Sequence, residues 1–428
     1  MADTPPVNEP PGPDGSASTT PAGTAASPPP LEGRAVQLAV LVAALGYFVD
    51  IYDLILFGVV RVDSLKELQV ADDGLWILRW QMIGMLIGGI LWGILGDKRG
   101  RLSVLFGSIL LYSIANIANG FVQDITTYGY LRFIAGVGLA GELGAGITLV
   151  SESMSKERRG YGTMIVASVG ICGAIAAWFV GTFAHWRTAY FVGGGMGIAL
   201  LLLRIGVYES GMFQQVKKRE VSRGNFFKLF WPPGRLRRYL AVILVGVPIW
   251  YVIGLPISFA DKFGKAMQMT DVPKPKDALL FAYIGLALGD FSSGALSQII
   301  RSRKKALLVY VLLTGLFLVA YFTVGASSKT AFYTTCALLG FATGYWAVFV
   351  TVASEQFGTN LRATATTTVP NFVRGAVAPM TLAFESLTPK MGVLNSAQLV
   401  GLVTFVLAVG SIVLLDETHG KDLDFLED

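Results

Sequence analysis

The chain has 428 residues, 53% of them hydrophobic and only 15% charged, with a formal net charge of +5. A soluble domain carries closer to a quarter charged residues, so the composition excludes an ordinary soluble protein and predicts a chain solvated mostly by lipid. The positive charge is not a nucleic-acid signature, because its distribution along the chain accounts for it.

Residues 1–33 are rich in Pro, Ala, Thr, Ser and Gly. With no apolar period they cannot bury enough surface to offset ordering entropy, which predicts a disordered tail. No basic stretch precedes an apolar one there, so a cleaved signal peptide is not expected. Twelve nearly uncharged stretches of about 20 residues follow, the length that crosses a bilayer core. They run at 35–60, 74–96, 102–122, 125–150, 161–184, 187–207, 239–260, 278–300, 306–326, 330–353, 365–388 and 396–415. A β-barrel would show short segments of period-two alternation, and none is present. The prediction is an all-α membrane protein whose 50 Gly allow close helix packing.

The polar gap at 208–238 divides the chain into a first six-helix bundle, 34–207, and a second, 239–415, followed by a tail at 416–428. The gap reads as a linker near anionic headgroups, or as a regulatory site. With the N-terminus inside, 22 of the 34 basic residues fall on inside segments. The positive-inside rule then puts both termini in the cytoplasm of a plasma (inner) membrane.

Charges within spans are costly and functional by default. On helix 1, Asp50 and Asp53 are three residues apart and share a face. Two carboxylates this close in low dielectric resist double ionisation, so at least one is protonatable near neutral pH. Arg132 on helix 4 lies about as deep as Asp53 at a rise of about 1.5 Å per residue. An Asp53–Arg132 ion pair that breaks on protonation would couple a proton to a conformational change; the alternative is a pair that only holds helices 1 and 4 together. Glu142, three turns further along, is either a second proton site or a local partner for helix 1. On helix 11, Arg374 offers a bidentate fork to a carboxylate, unless it pairs with Asp290 of helix 8. Trp250, Tyr345 and Trp346 are among the aromatics that line an apolar part of a cavity or simply pack. Gln81, Asn116 and Asn371 are the main amides available to a polyhydroxylated ligand.

The loop Gly93-Ile-Leu-Gly96-Asp97-Lys-Arg-Gly100-Arg101 has a counterpart 201 residues later, where Gly93 matches Gly294 and Gly96 matches Ser297. Ser151-Glu152 and Arg159 likewise match Ser354-Glu355 and Arg362 at an offset of 203. The chain is therefore a duplication, and parallel halves of this kind place a substrate site between them near the midplane. Asp97, Arg101, Glu152 and Arg159 fall near cytoplasmic helix ends, where ion pairs hold one state closed and break as the halves rock.

On these residues the chain resembles the major facilitator superfamily over 35–420. Gly93–Arg101 is similar to its signature loop, and Arg132-x3-Gly136-x-Gly138 to its second motif. Glu152…Arg159, Glu355…Arg362, Tyr208-Glu209-Ser210 and Glu417-Thr418-x-Gly420 look like those of sugar porters and organic-acid/proton symporters. Tyr52-Asp53 looks like the Tyr-Asp of proton-coupled sugar porters, and Asp50-x-x-Asp53 like the acidic pair of aromatic-acid/proton symporters. Ser297-Gln298 departs from the second-half loop pattern, which implies a looser gate. Gly170-x-x-Gly173 lacks the Gly-Pro of drug antiporters, which points away from export. The resemblance implies a monomeric alternating-access transporter with a proton as coupling ion and no other cofactor or metal.

The expected function is proton-coupled uptake of a small organic acid, the solute being probed by Arg374 and the proton by the first-half acids. A sugar or polyol symporter and a non-transporting solute receptor or uniporter are the alternatives. No nucleophile–base pair is visible, so an enzyme is not expected.

Overall fold

A computed structural model describes residues 34–99, 101–142, 159–209, 226–420 and 427. Among them all regular structure is helical. The expected tail at 1–33 and most of the expected linker lie outside the described residues.

The first half runs α1 (Arg34–Glu67), α2 (Leu75–Arg99), α3 (Arg101–Asn119), α4 (Ile125–Leu139), α5 (Arg159–Phe183) and α6 (Trp186–Glu209). The second runs α7 (Pro233–Val252), α8 (Ala260–Ala266), α9 (Pro275–Ile299), α10 (Arg303–Thr323), α11 (Lys329–Thr343), α12 (Trp346–Glu355), α13 (Thr359–Gly375) and α14 (Val377–Leu414). Eight helical stretches among the described residues are long and apolar enough to cross a membrane, with two shorter apolar helices at Ser103–Asn119 and Val169–Phe183.

Helix starts follow the local chemistry. Asp124 accepts the Thr127 N–H at 2.8 Å, Ser302 that of Lys305 at 3.2 Å and Ser328 that of Ala331 at 3.1 Å, each supplying an acceptor that a first helical turn lacks. The gap at 208–238 is shorter than the sequence suggests. Helix α6 continues to Glu209, a 3₁₀ turn occupies Phe226–Phe230, and α7 begins at Pro233, where a ring with fixed φ suits the first helical position.

Three expected spans are interrupted. The tenth breaks at Gly344-Tyr345 between α11 and α12, and the eleventh at Ala376 between α13 and α14. Helix α7 passes into a π-helical stretch at Ile253–Ile257 that contains Pro256, a residue that cannot donate the regular helical bond. The expected separation of the last two spans appears as Gly392, whose φ of 82° breaks α14.

Small residues set the closest helix approaches. Gly88 of α2 lies against the Val137 carbonyl of α4, and Gly289 of α9 lies against the Phe341 carbonyl of α11. The same helix pairing therefore recurs 201 residues along the chain. A Cβ at Gly88 would overlap backbone that cannot yield as a side chain does. Gly88→Val is expected to cost at least the roughly 1–3 kcal/mol typical of overpacking. A fall in the melting temperature of the detergent-purified protein would register it; an unchanged melt would show that α2 and α4 slide apart freely.

Candidate functional site

The deepest polar cluster of the first half is built around Arg132. Its Nη1 contacts Asp53 Oδ1 at 3.1 Å and donates to Asn116 Oδ1 at 3.0 Å. Its Nη2 donates to the Asp53 carbonyl at 3.1 Å and its Nε to Gln81 Oε1 at 3.3 Å. Tyr190 lies beneath the guanidinium at 5.4 Å. Arg132 and Asp53 are both fully buried. A buried charge needs both a counter-ion and hydrogen bonds, and this cage provides them from α1, α2, α3 and α4. The Asp53–Arg132 pair drawn from helix depth is thus present. Gln81, expected to face substrate, is spent on the cage: its Nε2 donates to the Leu54 carbonyl at 3.0 Å. Tyr52 points to α6, where its hydroxyl donates to the Ala189 carbonyl at 2.8 Å.

Glu142 finds a partner that the sequence reading did not single out. Arg204 of α6 meets both carboxylate oxygens, with Nη1 at 3.0 Å from Oε2 and Nη2 on Oε1. Both groups are buried. Gly46 of α1 leaves the space they occupy, so α1 lies beside the pair without sharing its charge.

Between the halves, Arg374 of α13 faces Asp50 of α1, with Nη2 and Oδ2 3.5 Å apart. The indoles of Trp250 and Trp346 each lie 5.6 Å from the guanidinium carbon. Arg374 is 1% exposed and Asp50 fully buried. Yet among the described residues Nε and Nη1 of Arg374, both oxygens of Asp50, and the N–H groups of both indoles have no hydrogen-bond partner. Buried polar groups are normally satisfied. Here six convergent ones are not, and they come from both halves of the chain.

The other expected pairing of Arg374 is not seen. Asp290 instead accepts the Ala347 N–H at 3.1 Å, serving the exposed N-terminus of α12 after the Gly344-Tyr345 break. A helix start offers unpaired donors and partial positive charge, which explains an acid in the span at that point. Asn371 donates to the Ala140 carbonyl at 2.9 Å and to the Thr367 carbonyl at 3.0 Å, so its amide N–H groups bridge α13 to the end of α4. Tyr345 donates to the Val245 carbonyl at 2.9 Å and thereby ties the break to α7. Of the residues expected to touch substrate, only Trp250 and Trp346 stand with Arg374.

The motif residues near the opposite helix ends are partly visible. Gly93 approaches Thr368 of α13 across the halves, and Gly96 lies within α2. The side chains of Asp97, Arg101 and Arg159, and the whole of Glu152, lie outside the described residues. Arg362 donates to the Ser354 carbonyl at 3.1 Å. Glu355 meets Arg303 at 3.6 Å and the Thr418 hydroxyl at 2.7 Å, while Arg303 also donates to Ser297 at 2.6 Å. Ser297, the departure from the loop pattern, thus has a specific partner. Partial burial opposes ionisation of Glu417, but the Ser302 hydroxyl and the N–H groups of His419, Arg303 and Lys304 prevail and hold its carboxyl down to about 2.

The other ends of the helices carry ion pairs that the sequence did not suggest. Arg61 pairs with Asp261, Asp73 with Lys262, Arg79 with Glu385, and Asp63 with Lys276 at 3.8 Å. All four join the first half to the second.

A sequence profile of the Major Facilitator Superfamily matches residues 43–380. The chain belongs to that superfamily. Among its relatives, the niacin transporter of Acinetobacter baylyi is 25% identical over 427 residues, covering 90% of this chain and 94% of its own. The 3-(3-hydroxy-phenyl)propionate transporter of Escherichia coli K12 is 27% identical over 366 residues, covering 82% and 87%. The protein is thus a multi-pass membrane transporter of the Major Facilitator Superfamily rather than an enzyme. Within that frame, Arg204 and the four pairs between the halves were not legible as site residues.

Proposed function

We propose that the protein imports a small carboxylate together with a proton by alternating access. The twelve spans would form two six-helix bundles in the inner membrane, with both termini cytoplasmic. The observation that carries this reading is the buried, under-coordinated guanidinium of Arg374 between two indoles, at the junction of the halves. A guanidinium binds carboxylate in a planar fork, and flanking aromatic faces suit a flat apolar body. Niacin and 3-(3-hydroxyphenyl)propionate, named for the relatives, are both aromatic acids, which favours a compact aromatic carboxylate. The acids Asp50 and Asp53 are the proposed coupling groups, with Arg132 and Glu142 in support.

The sugar alternative loses ground, because Gln81, Asn116 and Asn371 all contribute to hydrogen bonds within the protein. Proton flux into proteoliposomes tests the proposal against a panel of nicotinate, benzoate, hydroxyphenylpropionate, small dicarboxylates and sugars. Acidification of the lumen on adding an aromatic acid is the expected result. Flux driven by a sugar alone, or none with any solute, would overturn it.

A further inference from the structure

Among the described residues, three acids, Asp50, Asp53 and Glu142, lie buried in the membrane region and a fourth, Asp290, lies partly so; three of the four are firmly held. Asp53 sits in the Arg132 cage, Glu142 meets two nitrogens of Arg204, and Asp290 serves the start of α12. Asp50 differs. Its single cationic contact is 3.5 Å long, and neither oxygen has a hydrogen bond among the described residues. That contact is to the guanidinium offered to substrate.

The charges fix what can happen there. Arg374 and Asp50 together are neutral. A substrate carboxylate added to Arg374 would leave one net negative charge in a site shielded from water, where repulsion between the two carboxylates is weakly screened. One proton taken up by Asp50 restores neutrality and leaves the whole guanidinium to the incoming anion. We infer that Asp50 holds Arg374 in the place of the substrate carboxylate, so that each anion bound there requires one proton on Asp50. This rests on the proposed carboxylate transport and names the group that couples it.

The surroundings of Asp50 support the assignment. Along α1 it has Tyr47 one turn back and Asp53 one turn on. Glu142 at the end of α4 acts on it electrostatically, already compensated by Arg204. Among the described residues, Tyr112 of α3, Tyr283 of α9 and Arg374 of α13 also interact with it, and Asp290 of α9 acts on the same Tyr47. The described side chains of α5, which packs along α1, include no acid or base. Arg374 is therefore the only cation near Asp50 among the described residues that has no second acid to satisfy it. Because α1 and α13 belong to different halves, removing the Asp50 charge also releases a contact between them, tying the proton to the rocking motion.

Isothermal titration of the full-length protein with benzoate and nicotinate, in buffers of differing ionisation enthalpy, counts the protons taken up per anion. Where free Asp50 is ionised, wild type is expected to take up about one, with affinity rising about tenfold per unit fall in pH until free Asp50 is itself protonated. Asp50→Asn should bind at least as tightly, take up none and lose the pH dependence. Asp50→Glu should restore proton uptake with a displaced midpoint. If Asp50→Asn fails to fold, the Asp50→Glu midpoint decides, and an unmoved midpoint overturns the inference. So does proton uptake that survives in Asp50→Asn, or that disappears in Asp53→Asn instead. Wild type that binds acids without proton uptake overturns the inference alone; wild type that binds no acid of the panel overturns the functional reading and the inference with it.

Discussion

Arg132→Met is expected to lower folding stability by about 3–5 kcal/mol, the usual consequence of removing one partner of a buried ion pair. The loss has several parts. Asp53 would be left buried without its cation, and the Gln81 and Asn116 oxygens would lose a donor in the protein interior. The purified protein should melt well below wild type and yield less monodisperse material. The double variant Asp53→Leu, Arg132→Met should recover much of the loss, since replacing both members of a buried pair by apolar groups is often close to neutral. Recovery in the double variant separates the cost of a stranded charge from the cost of lost packing. A single variant that melts like wild type would mean that the cage contributes little, and that Asp53 is free for another task. The cage's contacts to four helices argue otherwise: it makes the first half a unit that can move as one body.

Much of this was legible in the sequence, and the limits follow from what spacing can encode. Span length, the repeated loop and the glycines of α2 and α9 are local or periodic signals; eight described stretches are long and apolar enough to cross a membrane, and the glycines make close helix approaches. The Asp53–Arg132 contact was within reach because helix depth is counted residue by residue in a membrane. Arg374 stood out because a lone cation in an apolar span is expensive. Its partner did not, since only the lateral arrangement of helices decides between Asp50 and Asp290. Asp290 looked like a site residue because nothing in the sequence marks the break at Gly344-Tyr345 that creates a helix start for it to serve. Arg204 was hidden by its place near a helix end, where a basic residue normally reads as a topology signal. The four pairs joining the halves were hidden most completely. Their members are ordinary loop and helix-end charges, separated by between 189 and 306 residues where a hydrogen bond is formed.

The double variant Arg61→Ala, Asp73→Asn is expected to open the end of the protein where those four pairs lie. Arg61 is buried, donates to the Asp73 carbonyl at 2.7 Å, pairs with Asp261 and stacks on Phe259 at 4.4 Å. Lys262 joins Asp73 and lies 5.1 Å from the Phe384 ring. The two substitutions remove both inner pairs of the set and leave the more exposed Arg79–Glu385 and Asp63–Lys276 pairs, which resemble surface pairs of small net worth. Spin labels at the exposed Lys66 and Gln268 should show the longer-distance population rise about tenfold, the change that about 1.4 kcal/mol produces. An unchanged distribution would mean that apolar packing, not charge, closes this end. Acid should not substitute for the mutations. Burial pulls the Asp73 carboxyl upward, but Lys262, the Leu75 N–H and Arg61 outweigh it and hold it below the ordinary carboxylate range. A group depressed in the folded state contributes fully above its unfolded value of about 3.9 and is lost only as pH falls below that. The closed end should therefore persist in wild type down to about pH 5, and opening above that pH would refute the assignment. A lock indifferent to the pH range in which a proton gradient operates leaves the sensing to a group inside the protein. Asp50, facing an arginine that the substrate also needs, is placed to do it.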